Sequence, residues 1–366
     1  MAKPAAPSAS SSPAQPPKAG PRGKRGRLAA TGIIVAFVLL NAVAWQHAWQ
    51  FTHFADPTDA RTPGPAGLSA GRRAALLLSG VTLPRPVAQP VPPGYRALRL
   101  PLPQQSGQAA EWLGAWAAPA LTAAPARGTV VLLHGYGGEK SSLLAEATAF
   151  RQMGYRVLLV DFRGGGASSG NSVTIGYREA DDVRAVCRHL RRHWHEPRVV
   201  VFGVSMGAVA AVRAIATYPA DVRPVAAVLE CPFGSTYQTV VNRFRLVGVP
   251  PVPLAALLTL WGGVQHGYWA FGHDPRAYAR AVRVPALLVQ GTADARVTVA
   301  EARAVAAGLA GPHELLLLPG AGHGHYLAAR PRAWRAAVGR LLRRAEIPPS
   351  ADVYAPDRRK NAKADR

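Results

Sequence analysis

Acidic residues are scarce in this chain. Asp and Glu number 20 among 366 residues, against 43 Lys and Arg, for a formal net charge of +23 carried mostly by arginine. That balance invites a nucleic-acid reading, which requires the cations to form one stripe with interleaved aromatics. Here the arginines are scattered through the chain, and no helix-turn-helix, zinc-finger or RNA-recognition signature occurs, so no nucleic-acid partner is expected. Attraction to an anionic membrane surface accounts for the charge more simply. Charged residues of both signs are few as well, 17%, while hydrophobic residues reach 49%, enough for a sizeable core. Cysteine is nearly absent. Cys187 and Cys231 have neither CxxC nor metal-ligand spacing, and two cysteines make no disulfide framework. They are expected as buried small hydrophobes, and no metal site is expected.

Long uncharged stretches are also rare, and the notable one lies near the start. Residues 1–27 are rich in Pro, Ala and Ser and carry Lys18, Arg22, Lys24, Arg25 and Arg27, a composition expected to stay disordered. Leu28–Trp45 then runs for 18 residues without a charge, about 27 Å as a helix and close to the ~30 Å hydrocarbon core. Residues 28–46 are therefore predicted as a transmembrane signal anchor, with Trp45 and Trp49 at the far interface. The positive charge before the helix predicts a cytoplasmic N-terminus, a single pass and an exported catalytic domain. A cleaved signal peptide competes, with Ala42-Val43-Ala44 as an acceptable cleavage site and Asn41 interrupting the apolar run; the product would then be secreted. Residues 47–94, dense in Pro, Gly and Arg, are predicted as a linker with a short helical patch around Ser69–Ser79, and residues 346–366 as a disordered tail.

From about residue 95 the pattern changes. Arg96–Leu102 and Glu111–Ala118 predict an antiparallel hairpin. Six short apolar runs follow: Thr129–Leu133, Arg156–Asp161, Arg198–Gly203, Val225–Glu230, Ala286–Gln290 and Glu314–Leu318. Each has the length of a strand buried on both faces. Helical segments fall between or after them at Glu139–Met153, Tyr177–Trp194, Met206–Thr217, Val299–Leu309 and Ala333–Arg343. The alternation predicts an α/β domain over 95–345, with a mostly parallel sheet covered by helices on both faces. The stretch 232–283 is too long for a simple connection and is predicted as a small helical cap insertion, its Trp261, Tyr268, Trp269 and Phe271 read as pocket lining.

The chemistry sits at the strand ends. Gly203-Val204-Ser205-Met206-Gly207 matches GxSxG, directly between a predicted strand and a predicted helix. A serine at such a turn is lifted above the sheet, and small residues at −2 and +2 let strand and helix approach. Serine needs a base. His323, in the Gly-rich loop after the last strand, is the expected one, with His325 as the alternative. The imidazole needs a carboxylate to fix its tautomer. Asp294, after the strand Ala286–Gln290, meets that need, with Glu230 as the competing acid. His134-Gly135-Tyr136-Gly137-Gly138 follows the first buried strand, and the backbone N–H groups of Tyr136 and Met206 are the expected oxyanion donors. His134 is read as structural.

With these four elements, each after its own strand and in the order Ser205, Asp294, His323, the chain resembles the α/β-hydrolase superfamily over about residues 95–345. The HGYGG loop, the Asp161-Phe162-Arg163-Gly164-Gly165-Gly166 segment and the loops around Asp294 and His323 are similar to the serine aminopeptidase-like (S33-type) and esterase-lipase-like branch. The resemblance implies an α/β-hydrolase fold and a serine hydrolase, carboxylesterase- or lipase-like (EC 3.1.1), cleaving a small-molecule ester or related acyl bond without metal or organic cofactor. An acyltransferase or a small-peptide aminopeptidase using the same triad, and a non-catalytic scaffold, remain as alternatives. The substrate-binding residues and oligomeric state stay open.

Overall fold

The computed structural model describes residues 21–63, 69–103 and 110–345, so the first 20 residues of the expected basic tail and the whole expected C-terminal tail lie outside the described residues. The chain divides into two units, 1–43 and 44–366. The described part of the first is helical and belongs to α1 (Pro21–Thr52). Within α1, Gly26–Thr52 is long and apolar enough to cross a membrane, with a mean hydropathy of 2.2. Leu28, Ile33, Phe37 and Leu39 are all exposed along it. Asn41 donates its side-chain amide to the Phe37 carbonyl one turn back.

The second unit is built on one eight-stranded sheet. Its strands are β1 (Arg96–Pro101), β2 (Trp112–Ala118), β3 (Thr129–Leu133), β4 (Arg156–Val160), β5 (Val199–Val204), β6 (Ala226–Glu230), β7 (Ala286–Gly291) and β8 (His313–Leu318). Their spatial order is β1-β2-β4-β3-β5-β6-β7-β8. The β1–β2 and β2–β4 pairs are antiparallel and every other pair is parallel. In β3, β4, β6 and β7 every residue is buried, as expected for strands covered on both faces.

The period of two along each strand divides the core into two layers. Val131 and Leu133 of β3 face a cluster that includes α4 (Glu179–His193), α5 (Met206–Thr217), α8 (Pro275–Ala279) and α9 (Val299–Gly308). Val130 and Leu132 face the other, with α3 (Leu144–Gln152) and α11 (Pro331–Arg344). Helix ends follow local chemistry. Glu179, Asp181 and Asp182 begin α4 and Arg191, Arg192 and His193 end it, in line with the helix dipole. Thr298 and Glu301 form a reciprocal capping box at α9. Between β6 and β7 lie α6 (Thr236–Leu246), α7 (Leu254–His266), a 3₁₀ turn at Ala270–Gly272 and α8. The short α10 (Tyr326–Ala329) precedes α11, and α2 (Ala70–Ser79) lies before β1.

A buried ion pair ties the loop after β3 to the loop after β4. Lys140 Nζ lies 2.5 Å from Asp161 Oδ2, both side chains being almost wholly buried, and also sits 4.5 Å from the centre of the Trp116 ring. Asp161 accepts further hydrogen bonds from the backbone N–H of Lys140 and of Ala167, each 2.8 Å. Removing one partner of such a pair leaves a buried charge uncompensated. Asp161→Ala is therefore expected to cost about 3–5 kcal/mol, read as a lower urea midpoint of the full chain in detergent. An unchanged midpoint would show that the pair is not holding these loops.

Candidate active site

The loops at the carboxyl ends of β3, β5, β7 and β8 meet around Ser205. This residue has φ 52° and ψ −112°, a left-handed conformation that a side chain adopts only under constraint. Its N–H donates to the Glu230 carbonyl (2.8 Å) and its carbonyl accepts from Val209 N–H (3.1 Å). The flanking glycines make room. A Cβ on Gly203 would lie 2.5 Å from the carbonyl carbon of Gly207, and one on Gly207 would collide with the Leu133 carbonyl oxygen. β5, α5 and β3 can pack this closely only with no side chain at either position.

From Ser205 a row of hydrogen bonds leads inward. Ser205 Oγ is 3.0 Å from His323 Nε2, and His323 Nδ1 is 2.7 Å from Asp294 Oδ2. Asp294 Oδ1 accepts from the backbone N–H of Arg296 (2.8 Å) and Val297 (3.0 Å), and Oδ2 also accepts from Gln290 Nε2 (3.1 Å). Burial by itself pushes the Asp294 carboxyl up. The His323 hydrogen bond and charge, with the two backbone N–H groups, outweigh it and hold the group below the ordinary aspartate value. An ionised carboxylate there fixes the imidazole with Nδ1 protonated and Nε2 free to accept the serine proton.

The competing residues sit elsewhere. Glu230 is fully buried and accepts from Trp334 Nε1 at 2.6 Å, rather than from either histidine. Burial pushes its carboxyl up to about 8, the Trp334 hydrogen bond pulls it partly back, and Glu146 adds to the rise. His325 starts α10 with φ 54°, while the hydrogen bonds to Ser205 and Asp294 both fall to His323. Cys231 Sγ lies 4.0 Å from His323 Nε2, and Cys231, Asp294 and His323 have ligand-type atoms within 4.8 Å of one another. As a metal site this group fits poorly. Burial, then the neighbouring Glu230 and Asp294, hold the Cys231 thiol well above its ordinary value, and Asp294 and His323 are already bonded to each other.

The HGYGG loop rests on the serine turn, since a Cβ on Gly135 would lie 3.6 Å from Ser205 Cβ. Met206 is the first residue of α5, where helix N–H groups lack intrahelical acceptors. Among the described residues, no hydrogen-bond acceptor is paired with the N–H of Tyr136 or of Met206. His134 is buried and engaged at both nitrogens. Nε2 accepts from Phe162 N–H (3.1 Å), so Nδ1 carries the proton donated to the Gly135 carbonyl (2.8 Å). That matches the structural reading of this residue.

A cavity of about 650 Å³ opens above Ser205 and His323. Its walls hold residues that motif reasoning missed. Phe51, in the last turn of α1, stacks on Tyr136 at 5.0 Å and accepts the Tyr136 hydroxyl hydrogen bond at its carbonyl (2.7 Å). Leu76, Leu77, Leu83 and Arg61, from the stretch read as a linker, line the same cavity, as do Val240, Arg243, Phe244 and Leu258 of α6 and α7. The four cap aromatics do not. Trp261 packs edge-on against Trp45 at 5.2 Å, Tyr268 stacks on Tyr177 at 4.0 Å, and Trp269 is 66% exposed beside Phe271. No local pattern distinguishes Arg61 or Arg243 in a chain this rich in arginine.

The sheet order, the strained serine turn and the loops converging on it define an α/β hydrolase. Residues 124–261 match the family model described as serine aminopeptidase, S33, and residues 267–354 match that of TAP-like proteins. An uncharacterised protein of Mycobacterium tuberculosis is 30% identical over 214 residues, covering 58% of this chain and 68% of its own. The uncharacterised protein YqkD of Bacillus subtilis is 24% identical over 216 residues, with coverages of 58% and 70%. Among solved structures, an esterase of Pyrococcus furiosus superposes with a TM-score of 0.57 at 22% identity, covering 71% of this chain and 96% of that one. A proline iminopeptidase of Mycobacterium smegmatis superposes at 0.51 with 15% identity, covering 69% and 99%. The chain belongs to the α/β-hydrolase superfamily, in its serine aminopeptidase-like, S33-type branch, and is a hydrolase.

Two tests follow from this geometry. A chain starting at Ala44 is expected to keep the catalytic unit intact, whereas one starting at Ala55 loses the Phe51 ring and the acceptor of Tyr136. The shorter chain is expected to be less stable by about 2–4 kcal/mol in urea unfolding; equal stability would show that α1 adds nothing to this wall. The second concerns Glu230. An acid whose folded value, about 8, lies above its ordinary 4.5 lowers stability steadily as pH rises between the two. Below that window the group is protonated in both states and the penalty vanishes. Glu230→Gln should therefore gain in melting temperature relative to the parent as pH goes from about 5 to 8, and a pH-independent difference would contradict a buried neutral acid.

Proposed function

We propose that this hydrolase cleaves a carboxylic ester through an acyl-enzyme on Ser205. The observation that carries the reading is the unbroken row Asp294–His323–Ser205, with bonds of 2.7 and 3.0 Å, ending on a strained strand-to-helix turn. In this reading His323 Nε2 takes the Ser205 proton as Oγ attacks the carbonyl carbon. The N–H groups of Tyr136 and Met206 hold the oxyanion, and His323 returns the proton to the departing alcohol. Water then repeats the sequence and releases the acid. Asp294 acts by orienting the imidazole and stabilising the imidazolium.

An ester is favoured over an aminopeptide by the charge of the cavity. A peptide α-ammonium needs a carboxylate partner, yet Arg61, Arg243 and Arg296 line the cavity. The acid that lines it, Glu146, is held up by burial toward its neutral form. In this reading the catalytic domain takes in residues 95–345 with 232–283 as its cap. The apolar stretch 28–46 anchors it in the membrane, and the basic residues ahead of it hold the N-terminus in the cytoplasm with the domain outside.

The test uses the full chain in nonionic detergent. A fluorophosphonate probe should label the wild type and fail to label Ser205→Ala, and that variant should lose up to ~10⁶ in kcat on p-nitrophenyl esters. Near wild-type turnover by Ser205→Ala would sink the assignment.

A further inference from the structure

The cavity above Ser205 is apolar over much of its wall, with Leu77, Leu83, Val240, Phe244 and Leu258 among its residues. Three arginines, Arg61, Arg243 and Arg296, line this surface. They arrive from three separate places: the segment after α1, helix α6, and the loop that carries Asp294. Among the described residues none of the three is in a salt bridge, although nine other Lys or Arg side chains are paired with carboxylates. Arg243 goes further, because its Nε is buried and has no hydrogen-bond partner. Leaving a buried donor of a charged group unpaired is costly, and such a group in a ligand cavity is aimed at something the protein does not itself supply.

The nearby acids do not fill that role. Both oxygens of Asp294 are occupied by His323, Gln290 and two backbone N–H groups. Glu146 is buried and held toward its neutral form. Arg61 brings its guanidinium against the HGYGG loop, where a Cβ on Gly137 would lie 3.4 Å from Nη2. Arg296 follows Asp294 by two residues, on the rim of the same site. A planar guanidinium fork matches the oxygens of phosphate and carboxylate, and three around one apolar cavity make a site for an anion attached to a greasy body.

We infer that the substrate is an amphiphilic ester bearing a phosphate or carboxylate group, its apolar part in the cavity and its anionic group held by Arg243 with Arg61 and Arg296. This rests on the ester reading of the same site. The chemistry is ordinary hydrolysis: the acyl C–O bond breaks, water gives its oxygen to the acid and a proton to the alcohol, and the anionic group stays where it is.

The first measurement needs no turnover. Calorimetry on full-length Ser205→Ala in nonionic detergent compares hexyl phosphate with hexanol. Hexyl phosphate is expected to bind at least about tenfold more tightly. Adding Arg243→Gln should weaken it by about tenfold, and so should Arg296→Gln, whose exposed position spares the fold. Arg303→Gln, exposed on α9, serves as the control that leaves binding unchanged. Equal affinity for the two ligands, or indifference to both cavity substitutions, overturns the inference while leaving the ester reading intact. The second measurement compares turnover by the wild type. A p-nitrophenyl hexanoate is set against the p-nitrophenyl monoester of a six-carbon dicarboxylic acid and against phosphatidic acid in vesicles. Preferred turnover of either anionic ester supports the inference and tells whether the anion comes from solution or from a bilayer. Turnover of the neutral ester with neither anionic one overturns it. Binding of hexyl phosphate without hydrolysis of any ester overturns the proposed function instead.

Discussion

The arrangement depends on one strained residue. Ser205 sits at φ 52° on the turn from β5 into α5, a conformation that costs roughly 1–3 kcal/mol for a side chain. The cost is met by everything packed around the turn: the Glu230 carbonyl on its N–H, the first turn of α5 on its carbonyl, and glycines where β5, α5 and β3 touch. Because the turn is held so firmly, the Ser205 Cβ is fixed above the sheet edge, with Oγ turned to His323 Nε2. The loops after β3, β7 and β8 need only reach that position, and the parallel sheet delivers all of them to the same edge.

Two carboxyl groups near that edge show how local surroundings set opposite charge states. Asp294 is buried, but it accepts from His323, Gln290 and two backbone N–H groups, and these hold it ionised. Glu230 is buried with one good donor, Trp334, and one oxygen without a partner. Desolvation therefore dominates and keeps it neutral over most of the physiological range. Ser205 hangs by its backbone from the carbonyl of one acid residue and reaches the other through His323, so the two acids serve the same residue in different ways.

The apolar N-terminal helix is more than a leader to this unit. Its last turns, with Ala44 and Ala48 buried, belong to the catalytic unit. Gln46 and Gln50 donate to the carbonyl of Ser79, the last residue of α2, and Gln265 of α7 donates to the Trp45 carbonyl. Through Phe51 the helix end reaches the ring and hydroxyl of Tyr136, and with them the HGYGG loop. Tyr136 of this loop is thus braced by the last turn of the apolar helix.

Much of the fold was legible because its signals are local. A strand buried on both faces must be a short run of Val, Leu and Ala, and β3, β4, β6 and β7 read that way directly. The hydrogen-bonded row was legible for a related reason. GxSxG is dictated by close packing at one turn, and His323 and Asp294 each follow a recognisable strand. The walls of the cavity were not. Arg243 differs from the other arginines only in the cavity it enters, and the Tyr136–Phe51 bond joins residues 85 positions apart. The cap aromatics were misleading because aromatic content says that a surface is covered, not by what; Trp261 and Tyr268 are covered by Trp45 and Tyr177. By itself, then, the sequence determined the strands, the serine turn and the chain order of the hydrogen-bonded groups, since each is a constraint between near neighbours in the chain. Only the tertiary structure decided which acid is ionised, what lines the pocket and which charges meet there, because burial and partnership are set by residues distant in sequence.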